Sequence, residues 1–337
     1  MRLSVVMPNY NDSNNFLKLI PKIHSYLSVE DEIIFIDDGS TDDSYKKILK
    51  LVKKKQLLYV KMYQNEKNIG VAETQNIGAN IASGEYLYFA ASDDDVSPKF
   101  FESSINALKR YPKAGVCSTA SVLEYQDKVK IKLPLKSPSK IEKFLSPLDC
   151  KRLLLSHENW ISGNSCIYRR KYFLSEGGFR AELEGFCDVL LTLLIPMKYG
   201  AVFIPKVLTN FRLSNRSYAA KHYRIENVHL TIKIIDLLKN ILEREIGQKF
   251  AEQWWGKIQV QIVASAVLKK SFYISASKKN KLSYKLLIEG IFYLIKNFTF
   301  NKFLYIYIKK ALTLRCKRFL SYYLDKFGCS IIKGGKW

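Results

Sequence analysis

The sequence lacks the patterns that mark several large protein classes. Its six cysteines form no CxxC pair and its four histidines are scattered, so we expect buried, reduced thiols rather than a zinc site or a disulfide framework. Apolar stretches such as residues 291–295 are broken by charged residues and are much shorter than the roughly 20 residues that cross a bilayer. The first apolar run, Leu3 to Met7, is stopped by Pro8 and Asn9, so we expect no secretory signal and a cytoplasmic protein.

Acidic residues are scarce relative to basic ones, since 54 Lys and Arg stand against 31 Asp and Glu, a formal net charge of +23. This excess favours a polyanionic partner, which could be nucleic acid, anionic lipid or a phosphate-bearing substrate. After about residue 220, aromatic and aliphatic residues alternate with lysines, as in amphipathic helices. Such helices either lie on the anionic inner face of a membrane or form a bundle with their lysines in water, and the sequence leaves both open.

The first part of the chain alternates strand and helix patterns. Apolar runs predict strands at Leu3–Met7, Glu32–Ile36, Leu57–Tyr63 and Tyr86–Ala91, with helices between them. This order predicts an α/β domain over residues 1–220, Rossmann-like, with a mainly parallel sheet and helices on both faces. Residues 221–337 are predicted to form a basic, aromatic-rich α-helical region.

Polar residues follow three of these strands, at residues 8–11, 37–38 and 92–95. Ligands of parallel α/β sheets bind beyond the carboxyl ends of the strands, so these residues predict a binding site. A dinucleotide-dependent oxidoreductase would need glycines after the first strand, and residues 8–12 contain none. Asp93, Asp94 and Asp95 are adjacent carboxylates that repel one another unless a hard cation such as Mn²⁺ or Mg²⁺ neutralises them. They could instead cap a helix that begins near Pro98.

The motifs occur in an order that resembles the inverting family 2 glycosyltransferases of the GT-A fold. The matching segments cover roughly residues 1 to 215 and are residues 4–11, 36–42, 68–70, 76–78 and 84–86, followed by the aspartates around Asp93. The resemblance implies a glycosyltransferase that moves a sugar from a nucleotide-sugar donor, UDP-linked, to a hydroxyl of a glycan or lipid-linked acceptor in surface-polysaccharide synthesis.

The resemblance also assigns residues to the donor site. Pro8 and Tyr10 would flank the base, and Asp38 would accept a hydrogen bond from it. Asn68 and Asn76 would lie beside the ribose and diphosphate, and Asp94 would also bind the donor. Asp93 and Asp95 would be ligands of Mn²⁺ or Mg²⁺. The family's usual first aspartate of the metal motif is replaced by Ala91.

Inversion also requires a base that takes the proton of the acceptor hydroxyl. The family places a carboxylate after a Gly-Gly-Phe loop, which corresponds here to residues 177–179. Asp188 is the first choice and Glu184 the second, although Asp188 could be only a helix N-cap. The family's common Glu-Asp pair is missing from this loop, so a catalytically inactive nucleotide-binding relative is an alternative.

Two further residues are candidates for the acceptor or for a mobile loop. Trp160 could contact a sugar ring or belong to the core, and Arg212 could meet the diphosphate or lie in a solvated turn. A basic nucleic-acid-binding protein is the rival from another class, but no nucleic-acid-binding motif is recognisable and we expect no nucleic acid partner.

Overall fold

The structure is a computed structural model that describes residues 3–93, 95–125, 129–134, 137–156, 160–213, 228–255 and 258. The chain divides into two compact units, residues 1–222 with 233–254, and residues 223–232 with 255–337. Nearly all described residues belong to the first unit. Most of the predicted helical region 221–337, including its aromatic and lysine-rich segments, lies outside the described residues, and the boundary near residue 220 stays a prediction.

Ten strands of the described residues form one mixed sheet. They are β1 (Leu3–Asn9), β2 (Glu32–Asp37), β3 (Val60–Gln64), β4 (Tyr86–Phe89), β5 (Asp95–Val96), β6 (Val116–Tyr125), β7 (Val129–Leu133), β8 (Lys143–Leu145), β9 (Cys166–Arg169) and β10 (Ala201–Leu213). The strand order is β3-β2-β1-β4-β9-β6-β10-β5, with β7 added to β6 and β8 to β10. Strands β3, β2, β1 and β4 are parallel as predicted, whereas β9 pairs antiparallel with both β4 and β6.

Eight helices accompany the sheet in the described residues. They are α1 (Ser13–His24), α2 (Ser44–Lys54), α3 (Val71–Ile81), α4 (Lys99–Arg110), α5 (Pro147–Ser156), α6 (Arg170–Ser175), α7 (Cys187–Tyr199) and α8 (Val228–Glu245), and helical residues continue at 248–255. Two 3₁₀ turns, Gly163–Ser165 and Ala181–Phe186, precede β9 and α7. The apolar runs at residues 202–204 and 207–208 belong to a single long strand, β10.

Alternate residues of β1 contact opposite layers of helix. Val5 and Met7 belong to the core that includes Phe16 of α1, whose ring lies edge-on to Phe35 at 5.4 Å. On the other face, a Cβ added at Gly78 of α3 would meet the Val6 side chain at 2.4 Å. Helices therefore cover both faces of the sheet, as the continuous apolar runs predict.

The four described cysteines, Cys117, Cys150, Cys166 and Cys187, are free and buried. Desolvation raises the pKa of each thiol, so they are protonated, unreactive core residues, as expected. None of the helices in the described part of the chain has the length and apolar character that a bilayer crossing needs.

Candidate active site

The carboxyl ends of β1, β2 and β4, with the loops that follow them, are called the donor edge below. Asp37, fully buried at the end of β2, organises its centre. The Asn9 amide donates to Asp37 Oδ1 (2.7 Å), and the Ser40 hydroxyl donates to the same oxygen (2.6 Å). The Ser40 backbone N–H donates to Asp37 Oδ2 (3.0 Å). Asp37 thus fixes the two strand ends relative to each other.

Asp38 holds the loop that contains Asn68. It is 3% exposed, and its Oδ1 accepts from the Asn65 amide (2.9 Å) and from the Ile69 backbone N–H (3.0 Å). Its Oδ2 accepts from the Gly70 N–H (2.9 Å). Both carboxylate oxygens therefore bond inside the protein, so Asp38 shapes this loop, and its predicted bond to a base would have to use remaining lone pairs.

The outer rim of the donor edge has exposed side chains at the predicted positions. Pro8 is half-buried opposite Ile36 in the β1–β2 pairing, and Tyr10 is 46% exposed. Asn68 is exposed, and its side-chain oxygen accepts from the Gly70 N–H (3.1 Å). Pro8, Tyr10 and Asn68 are thus available to a ligand, and their contacts with a nucleotide stay a prediction.

Asn76 contacts protein backbone with both ends of its amide. Its Nδ2 donates to the Phe179 carbonyl (2.7 Å), and its Oδ1 accepts from the Phe179 N–H (2.8 Å). A Cβ at Gly178 would come within 2.5 Å of this amide oxygen, and the positive φ of +67° also favours glycine there. The structure therefore places Asn76 as a link between α3 and residues 177–188, which we call the base segment.

Two of the three adjacent aspartates, Asp93 and Asp95, are described, and their surroundings differ. Asp93 is half-buried; desolvation raises its pKa, the nearby Asp12 carboxylate adds to this rise, and Arg212 opposes it. Asp95 forms an ion pair with Lys22 of α1. Asp94 lies outside the described residues. Asp93 is therefore the carboxylate that lacks full compensation by the described protein, whereas a lysine already neutralises Asp95.

The residues around Asp93 fit a metal ion bound through few protein ligands. No group of three or more His, Cys, Asp or Glu suited to a metal occurs among the described residues. However, Mg²⁺ is usually held by one or two carboxylates together with substrate phosphates, and the desolvated Asp93 beside Asp12 suits that arrangement. Asp95 fits less well, because its carboxylate is paired with Lys22.

Asp188 lies in the first turn of α7, directly after the 3₁₀ turn of the base segment. Desolvation raises its pKa to about 6, and a hydrogen bond from the Val189 backbone N–H partly opposes the rise. A Cβ at Gly163 would lie 2.2 Å from Asp188 Oδ2, so that carboxylate is packed against Gly163. The N-cap of α7 is Phe186, so the N-cap alternative for Asp188 is wrong.

Glu184, the second choice of base, has a strained backbone. Its φ of 47° and ψ of −124° lie inside the 3₁₀ turn, and such conformations cost a non-glycine residue on the order of 1–3 kcal/mol. The surrounding contacts must hold it in place. Phe179 fixes the start of the base segment, because its ring packs edge-on to the rings of Phe89 and Phe173. The distances between ring centroids are 4.7 Å to Phe89 and 5.0 Å to Phe173.

The two acceptor candidates have different surroundings. Trp160 is 2% exposed and packs edge-on to Phe203 at 6.0 Å, so the structure favours its core alternative. Arg212 lies within β10 rather than in a turn after it. Its guanidinium is half-exposed, with Nε 3.8 Å from Glu124 Oε2, and it is close enough to lower the pKa of Asp93.

Sequence reasoning missed Asp12, Lys22 and Glu124, and it included Asn11 only as one of the polar residues 8–11 without a role of its own. Asp12 accepts from the Ser92 hydroxyl and links the first loop to the last. Asn11, at a positive φ of 53°, accepts from the Thr41 N–H (2.9 Å). A signal for Asn11 existed, because asparagine is enriched at left-handed positions. No local signal marked Lys22 or Glu124.

Comparisons with known proteins agree with this geometry. A cholesterol galactosyltransferase of Borreliella burgdorferi is 25% identical over 293 residues, 84% of this chain and 79% of that protein. An uncharacterised glycosyltransferase of Haemophilus influenzae is 27% identical over 212 residues, 61% of this chain and 67% of that protein.

Two solved glycosyltransferases have the same fold. S. aureus TarS residues 1–349, in complex with UDP-GlcNAc, match with a TM-score of 0.58 and 17% identity over 89% of this chain and 82% of that one. Mannosyltransferase PcManGT of Pyrobaculum calidifontis, in complex with GDP-Man and Mn²⁺, matches with a TM-score of 0.54 and 18% identity over 87% and 80%. Both comparisons support the GT-A fold.

The sequence model described as "Glycosyl transferase family 2" matches residues 4–174, which is half of the chain. The donor edge, all of β9 and most of α6 fall inside this match. The chain belongs to glycosyl transferase family 2 and is a transferase enzyme with a GT-A fold.

Proposed function

We propose that this protein is an inverting glycosyltransferase that moves a hexosyl group from a UDP-linked donor to a hydroxyl of a glycan or lipid-linked acceptor. One observation carries this proposal: a desolvated carboxyl with a pKa of about 6, Asp188, stands on a segment tied to β4 and α3 beside the donor edge. A carboxylate with that pKa is ionised at neutral pH, yet it is a stronger base than an ordinary aspartate.

In the proposed reaction, the acceptor oxygen attacks the anomeric carbon as Asp188 takes the hydroxyl proton. The bond from that carbon to the diphosphate oxygen breaks, and the nucleoside diphosphate leaves with the bonding electron pair. Attack from the face opposite the leaving group inverts the configuration. The packing of Gly163 against Asp188 Oδ2 restricts where this carboxylate can lie, which is what orientation of a base requires.

The donor edge would hold the nucleotide and its charges. Tyr10 and Pro8 would contact the base, and Asn68 the ribose or diphosphate, because these side chains are accessible there. Asp93 would hold a divalent ion, Mn²⁺ or Mg²⁺, which when bound stabilises the charge on the departing diphosphate. Arg212, half-exposed near Asp93, would add a fixed positive charge for the diphosphate.

The choice of UDP is supported by the TarS complexes with UDP and UDP-GlcNAc. The GDP-Man complex of PcManGT makes GDP the other nucleotide to test. An acceptor with lipid character is supported by the relative named cholesterol galactosyltransferase. We further propose a role in surface-polysaccharide synthesis, with the protein peripheral on the inner face of the membrane.

The proposal is tested by calorimetric titration of UDP- and GDP-sugars, with and without Mn²⁺, alongside a duplex DNA titration at moderate salt. We expect one nucleotide sugar to bind more tightly with Mn²⁺ and to be slowly hydrolysed. Binding of the nucleotide sugar without any turnover would favour an inactive relative. Tight DNA binding without nucleotide binding would favour a nucleic-acid-binding protein.

A further inference from the structure

Helix α2 presents an outer face made of lysines alone. Lys46, Lys47, Lys50, Lys53 and Lys54 are all exposed, and their spacing of i, i+1, i+4, i+7 and i+8 places them on one side of the helix. Ile48, fully buried, points to the opposite side. The 11 residues of α2 span roughly 16 Å at 1.5 Å per residue, so these five residues form a continuous stripe, called the lysine stripe below.

The lysine stripe is unusual in having almost no acidic neighbours. A solvated helix face commonly places Glu or Asp three or four residues from Lys, where opposite charges stabilise the helix and like charges destabilise it. Here Lys50 has lysines at i−4, i−3, i+3 and i+4, and the acidic residues within four positions of the stripe, Asp42 and Asp43, both lie at its amino-terminal end. Asp42 is near Lys47, and among the described residues no ion pair reaches any member of the stripe.

The sequence after residue 258 is also strongly basic. Residues 259–337 contain 16 Lys and Arg but only two acidic residues, Glu289 and Asp325. A segment of that composition would repel the lysine stripe rather than neutralise it. The stripe is therefore complementary in charge to a separate anionic partner.

Two exposed apolar side chains distinguish between anionic partners. Leu58, 80% exposed, lies four residues beyond the end of α2, and Val29, 74% exposed, lies in the loop before β2. Both loops lead into the amino-terminal ends of neighbouring strands, β2 and β3. Apolar groups beside a basic helix face can enter the headgroup region of a bilayer, whereas they gain nothing from phosphates along a duplex.

We infer that the lysine stripe of α2 is a docking surface for an anionic lipid bilayer, with Leu58 and Val29 as its apolar contacts. This surface belongs to the catalytic unit, and none of its residues comes from the basic sequence after residue 220. The inference goes beyond the proposed transfer reaction, and it does not depend on that reaction, because lipid binding needs neither donor nor acceptor.

The test measures binding of the full chain to phosphatidylcholine vesicles with and without 30% phosphatidylglycerol, at about 0.1 M salt. A triple variant, Lys46→Gln, Lys50→Gln and Lys53→Gln, removes the centre of the stripe while keeping good helix formers. The matched control, Arg152→Gln, Lys171→Gln and Lys206→Gln, removes the same charge from exposed positions outside the stripe. Circular dichroism of both variants confirms folding.

Each lysine near an anionic bilayer contributes about fivefold in affinity, so the stripe variant should bind anionic vesicles about a hundredfold more weakly. The control should change by less than about threefold, and neutral vesicles should bind weakly to all forms. Equal losses in both variants would show a net-charge effect and overturn the inference, as would no loss in the stripe variant. Tighter binding to duplex DNA than to vesicles, with the same dependence on the stripe, would also overturn it.

Discussion

The donor edge and the base segment differ in how their carboxylates are stabilised. In the donor edge, the buried carboxylates of Asp37 and Asp38 accept several hydrogen bonds each, so their charges are stabilised and their positions fixed. In the base segment, desolvation raises the pKa of Asp188 to about 6, and Glu184 has a strained backbone. The carboxylates of the donor edge hold its loops in place, whereas the raised pKa of Asp188 makes it a stronger base. This difference is expected between a binding region and a catalytic one.

The largest effect expected from this comparison is the loss of turnover in Asp188→Asn. Removing a general base typically reduces the rate by about 10² to 10⁴, while affinity for the nucleotide sugar should stay within about threefold. Release of nucleoside diphosphate measures turnover, and calorimetry measures affinity. Glu184→Gln is the control and should remain active; full turnover by Asp188→Asn would instead move the base to Glu184.

Asp93→Ala should come next, because it removes a desolvated carboxylate whose charge Arg212 compensates only in part. We expect turnover to fall on the order of 10²-fold. We also expect Mn²⁺ no longer to increase the affinity of the variant for the nucleotide. Asp95→Ala serves as the comparison and should cost less than about threefold, since Lys22 already pairs with Asp95. Equal losses in the two variants would mean that Asp95 shares the metal.

Asn76→Ala tests whether the two regions are mechanically joined. The variant loses both hydrogen bonds to Phe179, so the base segment should be less well positioned and turnover should fall about tenfold. Donor affinity should not change. Asn80→Ala, in the same helix and exposed, is the control. Weaker donor binding with unchanged turnover would show instead that Asn76 contacts the donor.

The smallest effect is on stability. The pKa of Asp188 is higher in the folded protein than in the unfolded chain, so ionisation of Asp188 costs stability as pH rises through about 6. Asp188→Asn removes this cost and should increase the free energy of unfolding by about 1–3 kcal/mol at pH 7.5, and by less at pH 5. Urea unfolding at the two pH values measures the difference, and a destabilised variant at pH 7.5 would contradict it.

Much of the donor edge could be predicted from the sequence because its signals are local. Apolar runs place β1, β2 and β4, and the polar residues directly after them reach one edge by the geometry of parallel strands. The start of β3 and the end of β4 differ from prediction by two or three residues, as frayed ends do.

The remaining features depend on contacts between distant parts of the chain. Asn76 meets Phe179 across 103 residues, and Lys22 meets Asp95 across 73. The insertion of β9 between β4 and β6 likewise depends on tertiary packing, because a four-residue strand carries little pattern of its own. The burial that raises the pKa of Asp188 also depends on tertiary packing.

The central claim is that a nucleotide binds at the donor edge, and titration of UDP with Mn²⁺ into three forms of the protein tests it most directly. Tyr10→Ala removes an exposed ring at that edge, and Leu58→Ala removes an exposed side chain at the opposite ends of the strands. We predict that UDP binds the wild type, binds Tyr10→Ala at least about fivefold more weakly, and binds Leu58→Ala unchanged. No binding, or binding that Tyr10→Ala does not weaken, would contradict the account.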